Sequence, residues 1–122
     1  MFVGGDFNEP SHRDWTDATV AARLQPLAVA WPGTTKLEKA GFIDTFRAVY
    51  PDPVAKPGIT WTPTTEASDP EDHHDRIDFI FARGKGLKVL SSAVVGEKAE
   101  DADIVVTPWP SDHRAVVSKL EF

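Results

Sequence analysis

Apolar residues along the chain come in short runs, broken by polar stretches rich in proline and glycine. Such punctuation predicts short strands and helices. Phe2 to Phe7 reads as a buried strand whose glycines allow close backbone approach. Asn8-Glu9-Pro10-Ser11 is turn chemistry. Asp14 is placed to cap a helix over roughly residues 15–24, with Val20, Ala21 and Leu24 on one face. Thr35-x-x-Glu38 fits a capping box and Gly41 a helix C-terminus, which predicts a short helix over 36–40. Asp44 opens another helix carrying Phe46, Val49 and Tyr50, and Pro51 stops it.

Beyond a Pro-rich loop at 51–58, Ile59-Thr60-Trp61-Thr62 predicts a strand. Residues 63–75, polar and acidic with His73 beside His74, predict a long surface loop. Alternation is clearest from Arg76 to Arg83: Ile77, Phe79 and Phe81 point one way, and Arg76, Asp78 and Ile80 the other. Gly84-Lys85-Gly86 is a turn, Leu87 to Val95 holds another strand, and Ile104-Val105-Val106 is a short apolar run. Pro108-Trp109-Pro110-Ser111 is a rigid loop, and Ala115 to Phe122 a closing strand. Trp15, Trp31 and Trp61 are assigned to the core, Trp109 to loop packing, and the acidic run Glu97–Asp103 to a solvated face. Strands outnumber helices and hairpin-like spacing dominates the C-terminal part. The expected fold is α+β, with a mainly antiparallel sheet and helices on one face.

Composition narrows the function. The 122 residues are 41% hydrophobic and include four Trp and seven Phe, enough aromatic surface to build a core. No apolar run reaches the ~18 residues that span a bilayer. The opening residues lack the basic and apolar regions of a signal peptide, and location is left open. Without cysteine there is neither a disulfide nor a thiolate metal site. The charge, 13 − 19 = −6, argues against a nonspecific grip on long nucleic acid. It is compatible with a metal-dependent enzyme acting on phosphates, because a bound cation supplies positive charge.

Polar residues concentrate at strand ends in three places. In Gly5-Asp6-Phe7-Asn8, period 2 puts Asp6 and Asn8 on one side, where a carboxylate and an amide suit a hard cation and a phosphoryl oxygen. In Asp75-Arg76-Ile77-Asp78, a carboxylate interrupts an apolar strand and needs a partner. In Ser111-Asp112-His113, Asp112 is a candidate metal ligand and His113 a candidate base. The economical arrangement has Asp78 accept a hydrogen bond from one nitrogen of His113, fixing its tautomer and stabilising the imidazolium. Each piece also has a plain reading: a strand-to-turn exit at Asp6, a pair between Asp78 and Arg76, and a capped turn at Asp112-His113.

Taken in order, Gly4-Gly5-Asp6-Phe7-Asn8, Asp75-Arg76-Ile77-Asp78-Phe79-Ile80 and Pro110-Ser111-Asp112-His113-Arg114-Ala115-Val116 resemble the last three motifs of the endonuclease/exonuclease/phosphatase family. This is the fold of DNase I, the apurinic endonucleases, inositol phosphatases and sphingomyelinases. Ala40-Gly41-Phe42-Ile43-Asp44 and Gly58-Ile59-Thr60-Trp61-Thr62 look like the family too. The resemblance implies roles. Asp6 resembles the acidic residue beside metal and attacking water, and Asn8 the phosphate-orienting amide. Asp78 resembles the carboxylate behind the catalytic histidine, Asp112 a metal ligand, and His113 that histidine. It implies Mg²⁺ or Mn²⁺ as the cofactor, held by Asp6, Asn8 and Asp112, and a phosphate ester as substrate, with nucleic acid involved only as substrate.

The resemblance also implies an absence. The family's N-terminal half, with its Asn, metal-binding Glu and middle-strand His or Tyr, has no counterpart here. The chain is expected to be half of a DNase I-like four-layer sandwich, cut just before the Gly-Asp-x-Asn strand. Phe79, Phe81, Val94 and Val117 are expected to line a bare sheet face that a second copy covers in a homodimer. Glu9, His12, His73, His74 and Arg76 are secondary candidates for the site or for replacing the lost ligand. The alternative is an inert half-domain that works only with its missing half.

Overall fold

A computed structural model describes residues 1–122. The strand Phe2–Asp6 (β1) pairs antiparallel with Asp78–Ala82 (β3), in register from Phe2 opposite Ala82 to Asp6 opposite Asp78. The short strand Ile43–Asp44 (β2) covers the other edge of β3. A second sheet has Lys88–Gly96 (β4) at its centre, antiparallel to Ala115–Glu121 (β6) and parallel to Ile104–Val105 (β5). Three short helices, Asp17–Ala21 (α1), Pro32–Lys39 (α2) and Thr45–Val49 (α3), complete an α+β architecture with one antiparallel and one mixed sheet. The expectation of antiparallel pairing therefore holds everywhere except at β5. No helix is long and apolar enough to cross a membrane.

Period 2 in β3 sorts its faces. Phe79 and Phe81 are buried and cluster with Phe42, with Val3, Phe7 and Leu37 of α2 packed around them. These two phenylalanines are thus covered by this chain's own residues and do not line a bare face. Val94 is buried as well, while Val117 stands 46% exposed. Asp78 lies on the opposite face of β3, directly across from Asp6.

Helix boundaries moved for local reasons. Thr16, not Asp14, caps α1 in a box with Thr19. The helix α2 begins at Pro32, and the Glu9 carboxylate accepts from the N–H of Gly33 at 2.7 Å, so Thr35 lies inside the helix and forms no box. Asp44 caps α3 as expected, accepting from Phe46 and Arg47 N–H. Gly41 follows α2 at φ +82°, a conformation that glycine adopts without strain.

Asp14 has another task. Arg47 Nε donates to it at 2.6 Å and Arg76 Nε at 2.8 Å, while Arg76 Nη2 donates to Asp44 at 2.7 Å. Two carboxylates and two guanidiniums thus neutralise one another in the interior, with Arg76 2% and Arg47 1% exposed. The Arg76 guanidinium also lies 4.7 Å over the Phe79 ring. Arg76 is therefore not the partner of Asp78, and it does not stand beside Asp78 on a shared face. The acidic run after β4 is not a free solvated face either. Glu97 and Asp101 accept from Arg114, and Asp103 pairs with Lys56 and accepts from Val94 N–H.

Candidate active site

The pairing of β1 with β3 sets two carboxylates, Asp6 and Asp78, directly opposite each other. Like charges in that position weaken a sheet, so the fold gains nothing from them unless a cation stands near. His113, when protonated, stands where such a cation is needed. Its Nδ1 lies 2.9 Å from Asp78 Oδ2, and its Nε2 lies 3.9 Å from Asp6 Oδ2. Burial works against the charged imidazole, but the hydrogen bond to Asp78 and the charges of Asp78, Asp6 and Asp112 outweigh it and raise the His113 pKa above its ordinary value.

His113 arrives from the second sheet. It precedes β6, and its backbone bridges Trp61. Ser111 Oγ accepts its N–H at 3.1 Å, and its carbonyl accepts from the Trp109 indole N–H at 2.8 Å, so the loop tryptophan fixes the backbone behind the imidazole. On the other side, the Thr60 hydroxyl accepts from the N–H groups of Ile77 and Asp78 at 3.1 Å, anchoring the start of β3.

Asn8 follows β1 with φ +48°, a left-handed conformation that Asn tolerates well. Its N–H donates to Asp6 Oδ1 at 2.8 Å. The strict alternation read from the sequence therefore stops at Asp6: the chain turns, and the turn orients the Asp6 carboxylate. Asp112 is exposed; its charge reaches His113, but its carboxylate stands outside the closest grouping.

That grouping is Asp6, Asp78 and His113, whose ligand atoms lie within 4.8 Å of one another. Two carboxylates and an imidazole are a donor set that a divalent cation can accept, and the excess of carboxylates favours a cation. The chemistry of the residues thus fits a divalent ion.

The secondary candidates lie elsewhere. Glu9 caps α2. His12 is held by Thr34 and Glu38 of α2. His73 bonds the Gln25 carbonyl at 2.8 Å beside the buried Asp75, and His74 bonds Thr65 at 2.9 Å. Arg76 belongs to the interior ion cluster. Sequence reasoning missed Trp61, assigned to the core: its indole packs on the His113 imidazole, with centroids 4.7 Å apart. Its alternating, strand-like neighbours gave no signal that the ring would meet a histidine from another sheet.

Comparison with known proteins bears on this geometry. The chain is 38% identical over 130 residues to "Uncharacterized protein F14F9.5" of Caenorhabditis elegans, covering 100% of this chain and 41% of that protein. It therefore spans about two-fifths of the length of the curated relative it matches. No solved structure matches. A family model described as Endonuclease/Exonuclease/phosphatase family matches residues 1–113, from the strand bearing Asp6 through His113, and the chain belongs to that family.

Proposed function

We propose that this chain carries the catalytic residues of a divalent-metal-dependent phosphoesterase, hydrolysing phosphodiesters, phosphomonoesters or both. The observation that carries this reading is the 2.9 Å contact between Asp78 and His113, set beside Asp6 in a chain of this family. Asp78 fixes one imidazole nitrogen, which leaves Nε2 turned toward Asp6, where a water or a phosphoryl oxygen is taken. The cationic imidazole stabilises charge developing on phosphate, and the neutral form accepts a proton from water. Asp6, the member of the Asp6–Asp78–His113 grouping outside the Asp78–His113 hydrogen bond, would hold a divalent ion with Asn8 and Asp112 contributing from beside it, and that ion would supply Lewis-acid polarisation of a phosphoryl oxygen. Promiscuity toward simple phosphate esters is part of this proposal.

The test is hydrolysis of bis(p-nitrophenyl) phosphate and p-nitrophenyl phosphate with Mg²⁺ or Mn²⁺ and with EDTA. Turnover that needs metal and disappears in Asp6→Ala and His113→Ala supports the reading. Turnover indifferent to both would sink it.

A second reading is favoured by one observation, the coverage of 41% of the relative: activity here needs polypeptide beyond these residues. The edges of β1 and β6 are unpaired in their sheets, and Val117, Ile104, Val105 and Phe122 are exposed, so a second copy is the proposed cover, forming a homodimer. Sedimentation at micromolar concentration checks this. A monomer that turns over substrate contradicts both the need for added chain and the dimer.

A further inference from the structure

Trp61 is where the parts of the site meet. Its N–H donates to the Asp75 carbonyl at 2.9 Å, and its own carbonyl accepts the Asp75 N–H at 3.0 Å. On its other side it bridges His113, and the carbonyl of neighbouring Thr60 accepts the Arg114 N–H at 2.8 Å. The extended segment 60–61 thus ties the approach to β3, which carries Asp78, to the approach to β6, which carries His113.

The side chain repeats this link. A single hydrogen bond to Asp78 sets where the His113 ring is held but leaves it free to tilt about that contact. The indole supplies a wall, packed at an interplanar angle of 59° and a distance at which an imidazolium gains from an aromatic face. In the loop that follows Trp61, the Thr65 hydroxyl donates to the Asp72 carboxylate at 2.6 Å. Thr65 is in turn 2.9 Å from His74 Nε2. Through its backbone pairing with Asp75 and its ring contact with His113, Trp61 connects the approach to β3 with the imidazole. It is half-buried and takes no part in the Phe42–Phe79–Phe81 core, so packing of the fold does not account for it.

We propose that Trp61 is a positioning residue of the site: its ring holds the His113 imidazole in the orientation fixed by Asp78, and its backbone bonds to Asp75 fix the segment that carries the ring. This rests on the reading of His113 as the reacting histidine, but its structural half stands without that reading. A misplaced catalytic group on the scale of an ångström loses about 100-fold in rate.

The experiment has two arms. In kinetics on bis(p-nitrophenyl) phosphate, Trp61→Leu is expected to lower kcat by about 10- to 100-fold with KM within about twofold. Trp61→Phe, which keeps an aromatic wall, restores most of the loss. In a His113→Asn background, Trp61→Leu has no further effect, because Trp61 acts through the imidazole. An equal loss in that background, or a loss in KM alone, overturns the proposal. In NMR at one fixed pH on metal-free protein, the wild type shows NOEs between the His113 and Trp61 rings and one rigid His113 ring. Trp61→Leu is expected to lower the order of that ring while the amide spectrum of the Phe79–Phe81 core stays in place. A rigid His113 ring in the variant, or absent NOEs in the wild type, overturns the proposal even if the protein proves inactive. If Trp61→Leu does not fold, the wild-type NOEs and Trp61→Phe decide.

Discussion

Two clusters, each built around a pair of aspartates, sit within a few residues of each other on the approach to β3 and behave in opposite ways. Around Arg76, two carboxylates meet two guanidiniums, all four buried, and every charge is balanced by the chain itself. Around Asp78, two carboxylates face each other across a sheet with one half-buried imidazole between them and a third carboxylate near by. The first is closed and serves the fold. The second is open and carries an excess of negative charge that the chain does not neutralise. The difference lies in balance: acidic residues paired with arginine have nothing left to offer a ligand, whereas acidic residues paired with each other do.

Breaking the closed cluster should have the largest effect on stability. Arg76→Ala leaves Asp14 and Asp44 buried with one guanidinium between them. The expected loss is about 3–5 kcal/mol, read from the urea midpoint, and full stability in that variant contradicts the cluster's structural role. Breaking the open cluster should instead spare stability and remove turnover. His113→Ala is expected to lower kcat by about 10²- to 10⁴-fold while stability stays within about 1 kcal/mol. Comparable losses in both properties would erase the contrast.

A smaller effect sharpens it. Asp6→Asn removes a like charge opposite Asp78 and is expected to raise metal-free stability by about 0.2–1 kcal/mol. Thermal unfolding in EDTA checks it, and a stability loss means that Asp6 serves the fold. The smallest effect is in pH. The folded protein favours charged His113, so this contribution is fully present below the ordinary pKa of 6.5 and is lost as pH rises through the higher folded value. Titration of the His113 ring by NMR in metal-free protein should give a midpoint above 6.5 that falls in Asp78→Asn. A midpoint at or below 6.5 contradicts the geometry.

Local signals in the sequence carried much of this. The alternation at Ile77, Phe79 and Phe81 reports burial, and the structure buries all three. Asp44 as a helix cap and Gly41 after a helix are set by chemistry within a turn. The pairing of Asp78 with His113 was also legible, because an acidic residue inside an apolar strand needs a partner and few were available. What escaped the sequence was long-range. Asp14 looks like a cap until Arg47 and Arg76 converge on it. Glu97 and Asp101 look solvated until Arg114 reaches them. Trp61 looks like core until β6 brings His113 against it. Phe79 and Phe81 were legible as buried but not as to what buries them, since α2 and Phe42 lie on a face that the pattern does not name.

The open cluster around Asp6 is proposed to be a divalent-cation site. Calorimetric titration of Mn²⁺ into wild-type protein and into Asp6→Asn tests it most directly. The wild type is expected to bind saturably, with binding lost or weakened at least tenfold in Asp6→Asn, about 1.4 kcal/mol or more. Equal binding by the two proteins would contradict it.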